Sequence, residues 1–143
     1  MLVNKNEIEQ LIPQRAPILM IDTLLSQDEL KTETTFEVLE SNMFIRNNHL
    51  QEGGIIENIA QSAAARAGYY YKTNNLTPPL GFIGGISKLE IFANPKVGDV
   101  LRTVIEKKNE VFNITLIKGT SFVGEQAIAT CEMKIVIDDS TTA

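Results

Sequence analysis

Two polar side chains near the middle of the sequence have types and spacing that suit proton chemistry. Glu57 and Gln61, in GGIIENIAQSAAA, stand at i and i+4, which places them on one face of a helix. A carboxyl group steadied by an amide is equipment for general acid–base work. A solvated helix acid near the positive end of a helix accounts for Glu57 as well, and a plain polar face residue accounts for Gln61. Gly53 and Gly54 come just before them. Unhindered N–H groups at a helix start meet an anionic oxygen, or the glycines merely permit a tight turn. The chain has one histidine, His49, in the polar stretch NNHLQ. A histidine in such a stretch is either a surface group or a base poised near neutral pH. Cys131 occupies an inward strand position without a second histidine to activate it, and reads as a small core residue. One His and one Cys are too few for metal-ligand spacing, and no phosphate-binding glycine loop is present, so neither metal nor cofactor is expected.

These groups need a helix to carry them and a sheet to hold the helix. Residues 52–72 supply the strongest helical pattern, with Ile56, Ile59, Ala60, Ala63 and Ala67 spaced along one face. So much alanine lets a helix lie close to a sheet, and the helix is expected to fray near Gly68 to Lys72. Ahead of it, residues 5–11 predict a short helix ending before Pro13. Ile18 to Leu25 and Thr32 to Leu39 predict strands, and residues 40–51 a loop. After it, TNNLTPP reads as a loop. Four strands follow: GFIGGISKLEIF with a glycine-marked bend or bulge, VLRTVIEKKN, EVFNITLIKGTSF and EQAIATCEMKIVI, with turns near Asn109 and Gly124. The polar tail from Asp138 to Ala143 is expected to fray. The pattern is α+β, about six antiparallel strands wrapped around one long central helix.

Composition narrows the class. At 143 residues the chain suits a single domain, 1–143, large enough to fold without a staple. A net charge of −5 without a basic cluster argues against nucleic acid as a partner. No run approaches the length of a membrane span, and the acids of MLVNKNEIEQ do not suit a secretory leader, so a cytoplasmic protein is expected.

Four segments in order, IPQRAPILMID, GGIIENIAQSAAA, GFIGGISKLEIFANPKVGD and AIATCEMKIVI, resemble the hotdog-fold 3-hydroxyacyl-acyl-carrier-protein dehydratases over nearly the whole chain. Among these the sequence is most similar to the dehydratase-like proteins of aryl-polyene and flexirubin pigment pathways. The resemblance implies a homodimer whose active sites are each built from both subunits, with a tunnel for the acyl chain beside the central helix. It implies a 3-hydroxyacyl or 2-enoyl thioester carried on acyl carrier protein as substrate. Glu57 would then assist the leaving hydroxyl, with Gln61 bonded to it or to its water. A backbone N–H at Gly53 or Gly54 would polarise the thioester. The resembled enzymes use a histidine in the loop before the helix as base. Counting back without gaps from IENIAQ puts Asn42 there, and asparagine cannot remove a proton. His49 lies seven residues later and serves as a displaced base if the loop brings it opposite Glu57 of the partner subunit. Two rivals stay open: a catalytically silent acyl-binding or partner subunit, favoured by Asn42, and a thioesterase of the same fold in which Glu57 activates water. Arg15, in PQRAP, matches a family position where pairing with a carboxylate or loop carbonyls is expected. Tyr69, Tyr70 and Tyr71 point three ways, so at most two are core. Lys88, Lys96, Arg102, Lys107 and Lys108 are scattered charges, and an acidic carrier protein would call for a basic patch.

Overall fold

The computed structural model describes residues 1–138, so the expectation for the tail beyond Asp138 falls outside the described residues. After a single 3-10 turn at Ile8–Gln10 come β1 (Thr23–Gln27) and β2 (Lys31–Glu37). A two-residue pair follows, β3 (Ile45–Arg46) and β4 (His49–Leu50), then helix α1 (Glu52–Thr73). Four strands follow the helix, β5 (Leu80–Ile91), β6 (Val100–Val111), β7 (Ile114–Val123) and β8 (Gln126–Asp138). Six strands form one antiparallel sheet in the order β1-β2-β6-β7-β8-β5, and α1 packs on it. This is the α+β hotdog architecture that the element order predicts.

Ile55, Ile59 and Ala63 of α1 meet Leu101, Ile105, Ile117, Ala129, Cys131 and Met133 of the sheet in the main core. A second cluster joins Val3, Ile8, Leu11, Ile12, Ile21 and Leu24 to Ala65. The N-terminal segment is thereby tied to the helix. It also covers one sheet edge, because Val3 exchanges backbone hydrogen bonds with Leu24 of β1. The opposite edge, β5, is twelve residues long and open, with Phe82, Ile83, Ile86 and Leu89 exposed.

Several boundaries differ from the sequence expectation, each for a local reason. The strand expected from Ile18 starts at Thr23, because the backbone of Met20 is bonded to side chains of α1 rather than to a ladder. The helix expected over residues 5–11 is only the 3-10 turn. The loop 40–51 contains the β3–β4 hairpin. Asn47 and Asn48 adopt φ of 52° and 64° there, the left-handed pair that two-residue hairpin turns require. The helix does not fray at Gly68. A Cβ there would lie 1.9 Å from the carbonyl oxygen of Leu11, so the glycine is a close-packing position. The turn expected near Asn109 is a bulge between Lys107 and Asn109, and the chain reverses at Phe112–Asn113. The reversal at Gly124 and the bulged β5 fall as expected.

Candidate functional site

Glu57 is placed by the first turns of α1. It borders a cleft of about 840 Å³ between α1, the segment 9–15, and the ends of β5 and β8. That volume is in the range of small-molecule sites. Ala60, Ala63, Ala64 and Ala67 form the helix side of the cleft, and Phe82, Ile83, Ile135 and Ile137 form the sheet side. These two sides are apolar, while Glu9, Gln10, Gln14, Arg15 and Glu57 add polar groups to the lining. Side chains without bulk on α1 are what make the space.

Gln61 stands behind Glu57, fully buried, and donates from Nε2 to Glu57 Oε1 at 2.9 Å. The same nitrogen donates to the Ile18 carbonyl, while Oε1 accepts the Met20 N–H at 2.6 Å. The i, i+4 pair expected from the sequence is therefore formed. Glu57 Oε2 carries no hydrogen bond from the described residues.

At the start of α1 the two glycines differ. Gly54 donates its N–H to the Gln51 carbonyl, and a Cβ on it would meet Phe44 and Leu50 at 2.8 Å. It lets the β3–β4 hairpin lie against the helix. Gly53 is exposed, and its N–H makes no hydrogen bond among the described residues, as befits one of the orphan donors of a helix start.

His49 is exposed on β4, and its Nδ1 lies 2.7 Å from the Asn47 carbonyl oxygen. A carbonyl only accepts, so Nδ1 carries a hydrogen, and in the neutral ring Nε2 holds the lone pair. Asn42 is half-buried. Its Oδ1 accepts the Phe44 N–H at 2.9 Å and its Nδ2 reaches Met20 Sδ at 3.1 Å, so its amide braces the loop onto Met20. Within this single chain, Glu57 borders the cleft, while His49, Asn42, Gly53 and Gly54 do not.

The remaining candidates settle into supporting positions. Arg15 donates to the carbonyls of Ile12 and Gln14 and pairs with Glu9, as expected. Cys131 is buried in the main core, and burial pushes its thiol up to about 11, so it is not a nucleophile at neutral pH. Tyr70 is exposed, Tyr71 borders the cleft and Tyr69 packs on the second core cluster. Lys88, Arg102, Lys107 and Lys108 are each in a local ion pair, and Lys96 lies across from His49.

Sequence reasoning missed the buried polar residues of α1. Asn58 and Ser62 are fully buried and bond to Met20, Thr103 and Thr34. The signal for them is joint. Thr34, Thr103 and Ser121 hold inward strand positions, and such hydroxyls need partners on the element that covers them.

A six-stranded antiparallel sheet packed on one long helix, with an acid on that helix bordering a cleft, defines a hotdog protein. A model of the ApeP-like family, described as ApeP dehydratase, matches residues 6–142, so the chain belongs to that family. It is similar to 3-hydroxyacyl-[acyl-carrier-protein] dehydratase FabZ of Clostridium botulinum, with 31% identity over 93% of this chain and 89% of that one. FabZ of Clostridium kluyveri is 27% identical over 93% of this chain and 94% of its own. Among solved structures, the dehydratase heterocomplex ApeI:P from Xenorhabdus doucetiae aligns with a TM-score of 0.85 at 16% identity. That alignment covers 94% of this chain and 93% of that one, a likeness of fold.

Proposed function

We propose that the protein dehydrates a 3-hydroxyacyl thioester presented on acyl carrier protein, giving the 2-enoyl thioester and water. The observation that carries this is Glu57, clamped by Gln61 through one oxygen and free at the other, on a cleft whose helix and sheet sides are apolar. The FabZ relatives support the substrate class.

In the proposed reaction a base takes the proton next to the thioester carbonyl. The electron pair forms the C2–C3 double bond as the C3–O bond breaks, and Glu57 gives a proton from Oε2 to the departing hydroxyl, which leaves as water. The free Gly53 N–H is the donor assigned to the thioester oxygen as charge develops there. Gly54 makes room for the hairpin and Asn42 braces it. The base assigned is Nε2 of His49, whose tautomer the Asn47 carbonyl fixes.

His49 and Glu57 meet in this reading across a homodimer, formed by β5 pairing with its copy. The open β5 edge with its exposed apolar side chains supports that assembly, since unpaired edges of this length are otherwise covered. We place the protein in the cytoplasm, where acyl carrier protein is loaded. Among the described residues no helix is long and apolar enough to cross a membrane.

The test uses wild type, His49→Ala and Glu57→Gln, assayed for hydration of a 2-enoyl thioester and for thioester hydrolysis. Each variant should lose hydration by about 10²–10⁴-fold, and the two losses should not multiply. A wild type without turnover would favour a silent acyl-binding subunit. A fully active His49→Ala beside a dead Glu57→Gln, with hydrolysis retained in wild type, would favour a thioesterase.

A further inference from the structure

Five hydrogen bonds, four buried and the last half-buried, run from the sheet to Glu57, and the chemistry of each partner fixes its direction. The Met20 carbonyl accepts from Asn58 Nδ2 at 2.8 Å, so the Asn58 amide presents Oδ1 to Thr103. Thr103 spends its one hydroxyl hydrogen there, at 2.6 Å, so Ser121, 2.8 Å away, must donate to Thr103. On the other side of Met20, its N–H donates to Gln61 Oε1, which turns Gln61 Nε2 toward Glu57. The sequence of donors is Ser121, Thr103, Asn58, Met20, Gln61, ending on Glu57 Oε1. All five donor residues have zero exposure, so water does not compete for the first four bonds, and only Glu57, at the cleft, is open to it. The bonds from Ser121 to the Met20 carbonyl polarise one another, as do those from the Met20 N–H to Glu57, and the backbone of Met20 joins the two runs mechanically.

We propose that Asn58 and Thr103 are positioning residues for Glu57. They hold Met20 so that the Gln61 amide has one orientation, and Gln61 thereby reserves Glu57 Oε1 as an acceptor. An oxygen that already receives an N–H is the poorer place for a proton, so Oε2, the oxygen without a protein partner, is the one left free to exchange a proton with the substrate. The inference rests on the reading of Glu57 as the acid, and extends it to residues that touch neither substrate nor cleft.

Thr103→Val keeps the shape of the side chain and removes the hydroxyl, and Thr103→Ser restores the hydroxyl. Two readouts separate positioning from plain stability. The first is steady-state hydration of a 2-enoyl thioester. Thr103→Val should lower kcat about tenfold with KM unchanged, and Thr103→Ser should recover it. The second is the NMR signal of the Gln61 side-chain NH2, assigned by its loss in Gln61→Leu. It should shift and lose exchange protection in Thr103→Val but not in Thr103→Ser. If Thr103→Val does not fold, Ser121→Ala, one step further from Glu57, should show the same changes at smaller size. An unmoved Gln61 signal overturns the proposal, and so does an unchanged kcat in a less stable Thr103→Val. If wild type turns over no thioester, the acid reading fails, while the Gln61 signal still decides whether the chain of donors holds the amide.

Discussion

On the side of α1 that meets the sheet, Asn58, Gln61 and Ser62 spend their polar atoms on Met20, Ile18, Thr103 and Thr34, whereas on the cleft side Ala60, Ala64 and Ala67 bring no polar side-chain atom. One helix thus has a face fixed by directional bonds and a face defined by missing bulk. Glu57 stands at the seam and takes something from each: its orientation from Gln61, its open space from the alanines. The difference teaches that precision and capacity are separate properties here. A hydrogen-bonded face holds one geometry, and an alanine face leaves room beside it without dictating the shape of what fills it.

The comparison breaks most sharply at Asn58. Asn58→Leu strands the Met20 carbonyl and the Thr103 hydroxyl in the dry core, at about 1–3 kcal/mol each, so urea unfolding should show a loss of about 3 kcal/mol or more. Ala64→Ser, on the cleft side, should stay within about 0.5 kcal/mol of wild type in the same assay. Equal losses would mean that the two faces do not differ as described.

The dryness of the fixed face has its own pH signature. Burial, helped by the charge of Glu132, raises the Cys131 thiol from 9.0 to about 11. The folded chain therefore keeps a proton that the unfolded chain releases. The stability this provides is fully present below about pH 9 and is lost as pH rises toward 11, by roughly 2–3 kcal/mol in all. Denaturation midpoints of wild type and Cys131→Ala, compared between pH 8 and 11, should converge as pH rises. A constant difference would show that the core around Cys131 is wet.

Gly68→Ala probes the junction of the helix with the N-terminal segment. Its new Cβ meets the Leu11 carbonyl, which is backbone and yields poorly, so a cost of about 1–3 kcal/mol is expected in urea titration. The smallest effect on stability should come from Ala64→Leu, which grows into the cleft. Its expected outcome is functional: KM for long acyl thioesters rises about tenfold while that for short ones holds.

Much of this arrangement was readable in the residues, and the unread part has a common cause. β8 announces itself by alternation, and α1 by its long apolar spacing and the Glu57–Gln61 interval. Period alone is blind to partners. The apolar run from Ile18 looked like a strand because its residues suit one, yet Met20 bonds to Asn58 and Gln61, roughly forty positions away. Asn58 and Ser62 fall outside the apolar spacing and carry no signal of their own for the same reason. The Asn47-Asn48 pair was a turn signal in plain view, but only the bridge between His49 and Lys96 shows what the hairpin is pinned against. His49 stays the hardest residue to place, because the group it is proposed to face belongs to another chain.

That placement is the central claim, and mixing two inactive variants tests it directly. Glu57→Gln and His49→Ala would be denatured together, refolded as a mixture, and assayed for hydration of a 2-enoyl thioester. If each site takes Glu57 from one chain and His49 from the other, half of the reassorted dimers are hybrids with one intact site, and about a quarter of the wild-type rate should return. If both residues serve from the same chain, no hybrid contains an intact site, and a mixture as inactive as its parents would contradict the account.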